Sequence, residues 1–300
     1  MTLNFIQKSV QIQNHFRKVL NSIVEWSHTW QLPIWESKCC FFNLNQSSDV
    51  VYSIHDSLLF VVQEVVNLGV TLDHSLCLFQ HIAKLSVKGH RVANLISKCF
   101  LSRDVNSLVK AFIIYVRPRL EYSSVAWNPS LKKDIKSLDK VQRRFTKRLP
   151  GLQHLTYSQR LNKLHLESLE LRRLRLDLIF AYKLVFGLTD LNPNKFFKLR
   201  TDYRRRGHKY KLFLPSCRSN TRHNFFIYRI GRIWNNLPAD NTDFSNLNSF
   251  KRSITFTFLA SYCKVYFFLV DLLLFCVISD IHWCILLFYC SMLVAAALCH

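Results

Sequence analysis

Charged residues are spread very unevenly along this chain, and their distribution divides it into a basic body and an apolar tail. The 300 residues include 41 Lys and Arg against 19 Asp and Glu, a formal net charge of +22. From residue 254 onward the only charged side chains are Lys264, Asp271 and Asp280, so the first 253 residues hold 40 basic and 17 acidic side chains, a net charge of +23. A body this basic repels itself unless it binds a polyanion, either a nucleic acid or an anionic membrane surface.

The composition is that of a folded protein. The chain is 49% hydrophobic and 14% aromatic, which is enough for a core, and its length fits one or two domains. None of the six glycines lies in a GxGxxG or GxxxxGK[ST] phosphate-binding loop. The ten cysteines include no CxxC pair, and the first residues do not read as a signal peptide, so we expect no disulfide framework.

His74, Cys77 and His81 have a spacing that could offer ligands to a metal ion. A zinc site of this kind needs a second pair of ligands at finger or knuckle spacing, and none follows. We therefore interpret these residues as ordinary polar and small side chains at the start of a helix, and predict no metal site.

The periodicity of apolar residues predicts a mainly α protein with a small N-terminal antiparallel β-sheet. An amphipathic helix is expected to end at Pro33. Its apolar stripe is formed by Ile12, Phe16, Leu20, Ile23 and Trp30, widened by Val19, Val24 and Trp26. Between Lys38 and Asp73 the runs CCFF, VVYSI, LLFVV and VVNLGVTL favour strands of one sheet, with Gly69 as a bulge or a point of close backbone approach in the last strand.

Beyond Asp73 the pattern is helical as far as Gly187. It predicts helices at 79–101, at 105–116 with Asp104 as N-cap and an end before Pro118, at 131–149, and over 169–187. The last of these alternates like a strand in LELRRLRLDL, but its length favours a helix. The predicted organisation is a helix plus sheet at 1–75, a helical domain at 76–190, a basic, aromatic-rich region at 191–253 and the apolar tail at 254–300.

The helix at 131–149 carries cations around an apolar stripe. The stripe consists of Leu131, Ile135, Leu138, Val141, Phe145 and Leu149. The predicted phosphate-binding residues on the other faces are Lys132, Lys133, Lys136, Lys140, Arg143, Arg144, Lys147 and Arg148. A solvated face explains most charge runs. Here only Asp134 and Asp139 oppose the cations, so we favour phosphate contact, which gives affinity without sequence preference.

A second basic stretch, with interleaved aromatic residues, spans 200–234. Arginine can bind phosphate there while a Tyr or Phe ring stacks on an unpaired base. In the alternative interpretation the rings belong to the core, which we consider for Phe225, Phe226 and Trp234. The predicted nucleic-acid-binding residues in this stretch and in the preceding helix are Arg172, Arg173, Arg204, Arg205, Arg206, Lys209 and Lys211.

No catalytic site is predicted. Metal-dependent polymerase or nuclease chemistry needs clustered carboxylates, and the body has neither an Asp-Asp pair nor an HExxH motif. The pair that comes nearest to a carboxylate cluster, Asp240 and Asp243, is better explained as part of a polar loop. No GxSxG elbow presents a serine nucleophile. We therefore expect no cofactor and no small-molecule substrate.

Ordered matches to a known family run through most of the body. The matching segments are WSHTWQLPI and KCC within 26–40, NLGVTLDHSLCLFQHI at 67–82, YVRPRLEYSSVAWNPSLKKDIKSLDKVQRRFTKRLPG at 115–151, LTYSQRLNKLHLESLELRRLRLDL, RRRGHKYKLFLP and RIWNNLP. Together, over residues 10–252, they resemble the C-terminal half of reverse transcriptases from non-LTR retrotransposons of the LINE type (jockey/CR1-like).

The resemblance implies the last palm elements, a helical thumb and the connecting C-terminal region. The family's catalytic aspartates lie in a [FY]xDD motif upstream of the WS segment, and the sequence contains no such motif. The resemblance therefore implies a truncated RNA-directed DNA polymerase, nuclear or cytoplasmic, that binds RNA or a primer–template duplex. Without the catalytic motif it would not itself be an enzyme, and it would lack the ligands for the Mg²⁺ of the parent polymerase. By the same resemblance the sheet ending at 67–73 is the primer grip. Lys38, which we predict as a nucleic-acid contact, matches the family's lysine after the catalytic motif, a candidate proton donor to the leaving pyrophosphate. The chain departs from the family at Trp35, where Asn is usual.

Residues 255–300 lie outside the resemblance. The segment 281–299 is uncharged and long enough to span a bilayer, which allows an alternative function: a membrane-anchored protein whose basic body binds anionic lipid. Translated non-coding sequence is the competing interpretation, because residues 254–300 contain no Gly, Pro, Arg, Glu, Gln or Asn. Unpaired carboxylates at Asp271 and Asp280 are costly inside a bilayer, so we favour translated non-coding sequence over a membrane anchor.

Overall fold

The computed structural model describes residues 2–42, 51–54, 57–200 and 207–265. Contacts group the chain into two compact units, with the boundary after His81. Helices dominate and the described strands form only small two-stranded sheets, which confirms the mainly α fold class.

In the first unit, α1 runs over Thr2–Thr29. The helix ends four residues before Pro33, the end that we predicted. Just after the helix, Gln31 has a positive φ of 54°. Leu20 and Val24 pack against a small core of Tyr52, Ile54 and Leu59. The rest of the described predicted stripe is exposed, namely Val19, Ile23, Trp26 and Trp30; the side chains of Ile12 and Phe16 lie outside the described set. Of the described part of the predicted apolar stripe, only Leu20 and Val24 therefore contribute to the core of this unit.

The predicted single antiparallel sheet is wrong. In this unit β1 (Cys40–Phe42) pairs in parallel with β4 (Phe60–Val62). Antiparallel pairs are formed by β2 (Ser53–Ile54) with β3 (Ser57–Leu58), and by β5 (Glu64–Asn67) with β6 (Val70–Asp73). The apolar runs located the strands correctly, but alternation within a strand does not specify which strand pairs with it or in which direction.

Gly69 is a turn residue and not the predicted bulge. Leu68 and Gly69 form the two-residue connection of the β5–β6 hairpin, in which Asn67 pairs with Val70. Both connecting residues have positive φ, 45° and 83°. That is the backbone of the tight hairpin turns whose twist matches the flanking strands, and glycine adopts it without steric penalty.

The second unit is helical. Its helices up to residue 185 are α2 (Phe79–Cys99, whose first residues precede the unit boundary), α3 (Val105–Ala111), a π-helical turn (Phe112–Val116), α4 (Arg117–Glu121), α5 (Ser124–Trp127), α6 (Lys132–Lys147), α7 (Tyr157–Lys163) and α8 (Leu169–Val185). After these come the paired strands β7 (Lys198–Leu199) and β8 (Leu212–Phe213), then α9 (Asn220–His223), α10 (Phe226–Asn235), α11 (Leu247–Ser253) and α12 (Phe256–Ala260).

The predicted end of a helix before Pro118 is also wrong. Asp104 caps α3 as predicted, accepting a hydrogen bond from the Ser107 N–H at 2.8 Å, but the chain stays helical to Glu121. Pro118 lies in the first turn of α4, directly after the π-helical turn. Proline is tolerated there because the N–H that it lacks has no obligatory helical partner at that position.

Helix α8 lies at the centre of the second unit. It contacts α4, α5, α6, α10, α11 and α12, and Leu169, Leu178 and Leu184 are fully buried. A helix that is surrounded in this way needs apolar residues on most of its faces. This explains why its sequence alternates like a strand while its backbone is helical.

One hydrophobic core joins residues on both sides of position 190, since Leu178 and Tyr182 share it with Phe197, Ile230 and Trp234. The core also extends past the predicted start of the apolar tail. The buried side chains beyond that point are Ile254, Leu259 and Cys263. The segment 254–265 is therefore part of the folded unit, and the prediction that the tail begins at 254 is wrong for these residues.

Candidate nucleic-acid interface

Positive charge is concentrated in the second unit. Residues 1–81 include 4 Lys or Arg and 6 Asp or Glu, a net charge of −2. The remaining residues therefore hold 37 basic and 13 acidic side chains, a net charge of +24. A site for a polyanion is accordingly sought in the second unit.

Helix α6 has one buried and one cationic face. Ile135, Leu138 and Val141 are buried, and the ring of Phe145 stacks on that of Phe112 with 4.6 Å between centroids. This confirms the predicted stripe, apart from Leu131, which precedes the helix and is exposed. The buried face fixes the orientation of α6, so the lysine and arginine positions on its other side face solvent.

All eight predicted phosphate-binding side chains of α6 and its C-cap are exposed: Lys132, Lys133, Lys136, Lys140, Arg143, Arg144, Lys147 and Arg148. At roughly 100° per residue they cover an arc of about 160° around the helix. We call this set the α6 cationic face. Its charges diverge over a broad convex surface, which suits an extended polyanion better than a single small anion.

The two aspartates of α6 do not lie among these cations. Asp134 and Asp139 are buried, and burial raises the pKa of Asp139 to about 6. Arg173, on the core side, is the cation with the largest opposing effect on that pKa. The carboxylates that we expected to oppose the cations are therefore buried and do not stand exposed among them. Lys133 still opposes the rise in the pKa of Asp134, and Arg143 opposes that of Asp139.

Helix α2 flanks the α6 cationic face on one side. The Ser86 hydroxyl donates to the Ser137 carbonyl at 3.0 Å, and Arg148 donates to Asn94 Oδ1 at 2.6 Å. Contacts that advance together along both helices show that α2 and α6 run in the same direction. They approach closely at Gly89, where an added Cβ would lie 3.3 Å from Val141 Cγ1 of α6.

His90 of α2 lies in the electrostatic field of the cationic face. Its pKa is lowered first by partial burial and then by Arg144, Lys140 and Arg148. We did not predict His90 as a site residue, because nothing in the spacing of α2 indicates which neighbour it faces. A bound phosphate would oppose these cations and favour the protonated imidazole.

Helix α7 flanks the other side. The guanidinium of Arg143 lies over the ring of Tyr157 at 4.5 Å, and Arg160 Nε donates to Thr146 Oγ1 at 3.2 Å. The stacking leaves Arg143 exposed, and a guanidinium that stacks on one face still has in-plane N–H groups for a phosphate.

Two predicted contacts on α8 are corrected by the structure. Arg173 is fully buried, and its Nε donates to Asn128 Oδ1 at 3.3 Å. Arg172 is engaged by carboxylates, with Nη2 3.0 Å from Glu121 Oε2 and Nη1 3.3 Å from Glu167 Oε2. Because α8 is surrounded by other helices, Arg173 cannot reach a phosphate, and Arg172 serves first as an ion-pair partner within the fold.

The remaining predicted contacts are scattered. Lys209 is exposed and Lys211 half-buried, whereas Arg204, Arg205 and Arg206 lie outside the described residues. Lys38 belongs to the first unit, where it is exposed with its ammonium 4.8 Å from the centre of the Trp35 ring.

The core interpretation of the aromatic residues holds for some rings only. Trp234 is fully buried and donates from Nε1 to the Tyr210 carbonyl at 2.7 Å. Phe226 is half-buried against the same core, but Phe225 is 57% exposed. Phe225 is therefore surface and Trp234 is core.

His81, considered above as a metal ligand, has a structural role. It is buried and its Nδ1 accepts the Thr71 N–H at 3.1 Å. No group of three metal-ligating side chains occurs among the residues that the structure describes. In the same described ranges, no helix has the length and apolarity to cross a membrane; the predicted span 281–299 lies outside them.

Comparison with protein-family models, with curated proteins and with solved structures finds no match for this chain.

Proposed function

We propose that this chain is a nucleic-acid-binding part of a reverse transcriptase of the non-LTR retrotransposon type, and that residues 1–300 grip RNA or a primer–template duplex without polymerising. The α6 cationic face carries the proposal. Eight exposed cations stand on one helix whose carboxylates are buried beneath them.

The mechanism of binding follows from the geometry of this face. Lysine and arginine side chains that meet phosphates release condensed counterions, so binding weakens steeply with salt and shows little sequence preference. The stacked ring of Phe145 and the close contact at Gly89 hold α6 rigidly. Rigid presentation lowers the ordering cost of binding.

The first test is binding of the purified chain to a structured RNA and to a primer–template duplex of unrelated sequence, by fluorescence anisotropy between 50 and 300 mM salt. We expect similar affinities for both and a linear fall of log affinity with log salt. A flat salt response, or no binding at 50 mM salt, would contradict the proposal.

Anionic lipid is the alternative polyanion, since the same cations could face a membrane. Flotation with vesicles containing phosphatidylserine separates the two. Vesicle binding that survives an excess of duplex would favour the lipid alternative. Displacement by duplex, or no flotation, supports the nucleic acid.

The second test concerns catalysis. With a primed RNA template and Mg²⁺ or Mn²⁺, we expect no dNTP incorporation above a heat-inactivated control, because the body lacks the carboxylate pair that would hold two metal ions. Template-dependent incorporation would show that the chain contains an active site that we did not identify.

A further inference from the structure

A second surface of the second unit combines exposed aromatic rings with positive charge. Tyr115 is 56% exposed and Tyr122 is 60% exposed, and Arg119 is exposed between them. Tyr115 lies in the π-helical turn, Arg119 in α4, and Tyr122 is the C-cap of α4. Spacings of four and three residues place the three on roughly one side of this helical segment. We call these residues the tyrosine strip.

The backbone beneath the tyrosine strip is rigid. Phe112, Val116 and Leu120 are fully buried on the same helical segment. At its end, Trp127 Nε1 donates to the Tyr122 carbonyl at 2.8 Å. Tyr115 itself belongs to the π-helical turn, a local form that often occurs at functional sites. Two exposed rings on a fixed backbone can stack on a ligand at a small cost in side-chain entropy.

The charge of the strip favours a polyanion over a protein partner. The carboxylate of Glu121 is occupied by Arg117 at 3.6 Å and by Arg172. Within the described part of the chain, Arg119 has no ion-pair partner. Tyrosine and arginine are also common at protein interfaces, but the unit that carries the strip has a net charge of +24, as counted above.

The spacing of the rings decides between paired and unpaired bases. Tyr122, the C-cap of α4, lies seven positions after Tyr115, which is about 10 Å along the axis. Neighbouring bases in a duplex stand only about 3.4 Å apart and are stacked on each other. Two rings so far apart can each receive a base only where the bases are splayed, as in single strands.

We propose that unpaired bases of a single-stranded nucleic acid stack on Tyr115 and Tyr122 while Arg119 binds the intervening phosphate. This inference rests on the proposed function and adds the form of nucleic acid that the second unit takes beside the α6 cationic face. In this arrangement the tyrosine strip binds only unpaired bases, whereas the α6 cationic face binds the phosphates of single-stranded and duplex nucleic acid alike.

The test compares a single-stranded RNA with a hairpin duplex of equal length, each fluorescently labelled, on the full chain. In the variant Tyr115→Ala/Tyr122→Ala we expect a loss of roughly fivefold to a hundredfold in single-strand affinity for each stacking contact removed. Duplex affinity should stay within about twofold, because phosphate contacts are unchanged. Tyr115→Phe/Tyr122→Phe, which keeps the rings, should bind both as the parent does, and Ile114→Ala controls for loss of an exposed apolar side chain.

The outcomes separate this inference from the proposed function. A parent that binds neither RNA contradicts both. A parent that binds duplex while the alanine variant keeps its single-strand affinity contradicts the tyrosine strip alone, and so does an equal loss on both RNAs. A change in oligomeric state on sedimentation, with single-strand affinity unchanged, would assign the strip to a protein interface and overturn the inference.

Discussion

Residues that are adjacent in sequence meet very different surroundings in this fold, and those surroundings decide what each can do. Arg172 lies at the rim of α8 within reach of Glu121 and Glu167, while Arg173 is enclosed by the core. On α6 the cations are exposed and Asp139 is buried. The same guanidinium is thus an ion-pair partner at position 172 and a core hydrogen-bond donor at position 173, whereas on α6 it faces solvent.

Phe145 is the residue whose loss should most clearly unfold the cationic helix. It is 3% exposed and stacked on Phe112, so Phe145→Ala leaves a cavity and should cost roughly 3–5 kcal/mol of unfolding free energy. Phe225→Ala, at a ring that is 57% exposed, is the matched control and should cost far less. Urea unfolding followed by circular dichroism measures both, and equal stabilities of the two variants would mean that the Phe145 ring is not core.

His90 should couple nucleic-acid binding to pH. Its lowered pKa means that the free protein binds a proton weakly there, first because the imidazole is partly buried and then because Arg144, Lys140 and Arg148 repel the imidazolium. A phosphate on these cations removes that repulsion, so binding takes up a proton and the affinity should rise as the pH falls from about 7.5 to about 5.5.

The effect of His90 is measured as the affinity difference between the parent and His90→Gln at constant ionic strength. Other histidines titrate in both proteins, so only the difference reports on this side chain. The difference in affinity between the two proteins should become measurable below about pH 6.5. In the free protein the same lowered pKa has the opposite consequence for folding, because stability is lost as the pH falls below the unfolded value. If the affinities of the parent and of His90→Gln change with pH in the same way, His90 lies outside the interface.

At the level of elements, the sequence predicted those helices whose apolar residues recur on one side. The positions of α2 and α6 were predicted within a few residues, because each packs a continuous apolar face. That of α8, which is apolar on most of its faces, was predicted from its length. The partners of β1 and β4 were not predictable, since parallel pairing joins segments that are distant in the chain. The continuation of the helix through Pro118 was missed, because the preceding π-helical turn leaves no local signal that we recognise.

The segment 254–265 gives a direct test of where the folded unit ends. A chain that ends at residue 253 loses the buried side chains of Ile254 and Leu259 and the contact of the Val265 N–H with Glu170 Oε2 at 3.0 Å. Burial of two such apolar side chains contributes roughly 3–6 kcal/mol. A chain that ends at 265 should therefore melt well above one that ends at 253, and equal melting temperatures would show that α12 adds nothing to the core.

At the scale of the whole molecule, the excess of positive charge lies in one of the two units. The first has a net charge of −2 and the second +24. The sequence was sufficient to locate the α6 cationic face, because charge and periodicity on one helix are local properties. It was not sufficient to exclude Arg173 or to find His90, since their exposure and neighbours depend on how α8 and α2 pack against other helices.

The salt dependence of binding by a quadruple variant tests the central claim most directly. Replacing Arg143, Arg144, Lys147 and Arg148 by Gln preserves helix propensity and removes four proposed phosphate contacts. A control variant removes the same charge from exposed cations elsewhere, with Gln at Lys163, Lys195, Lys198 and Arg252.

For the quadruple variant we expect weaker binding and a slope of log affinity against log salt that is shallower by up to about 2.8 on single strands or 3.6 on duplex DNA, from 0.7 or 0.9 per contact. The control variant should keep the slope of the parent. A quadruple variant that is folded and retains the parent slope, or a control that loses as much, would contradict the assignment of nucleic-acid binding to α6.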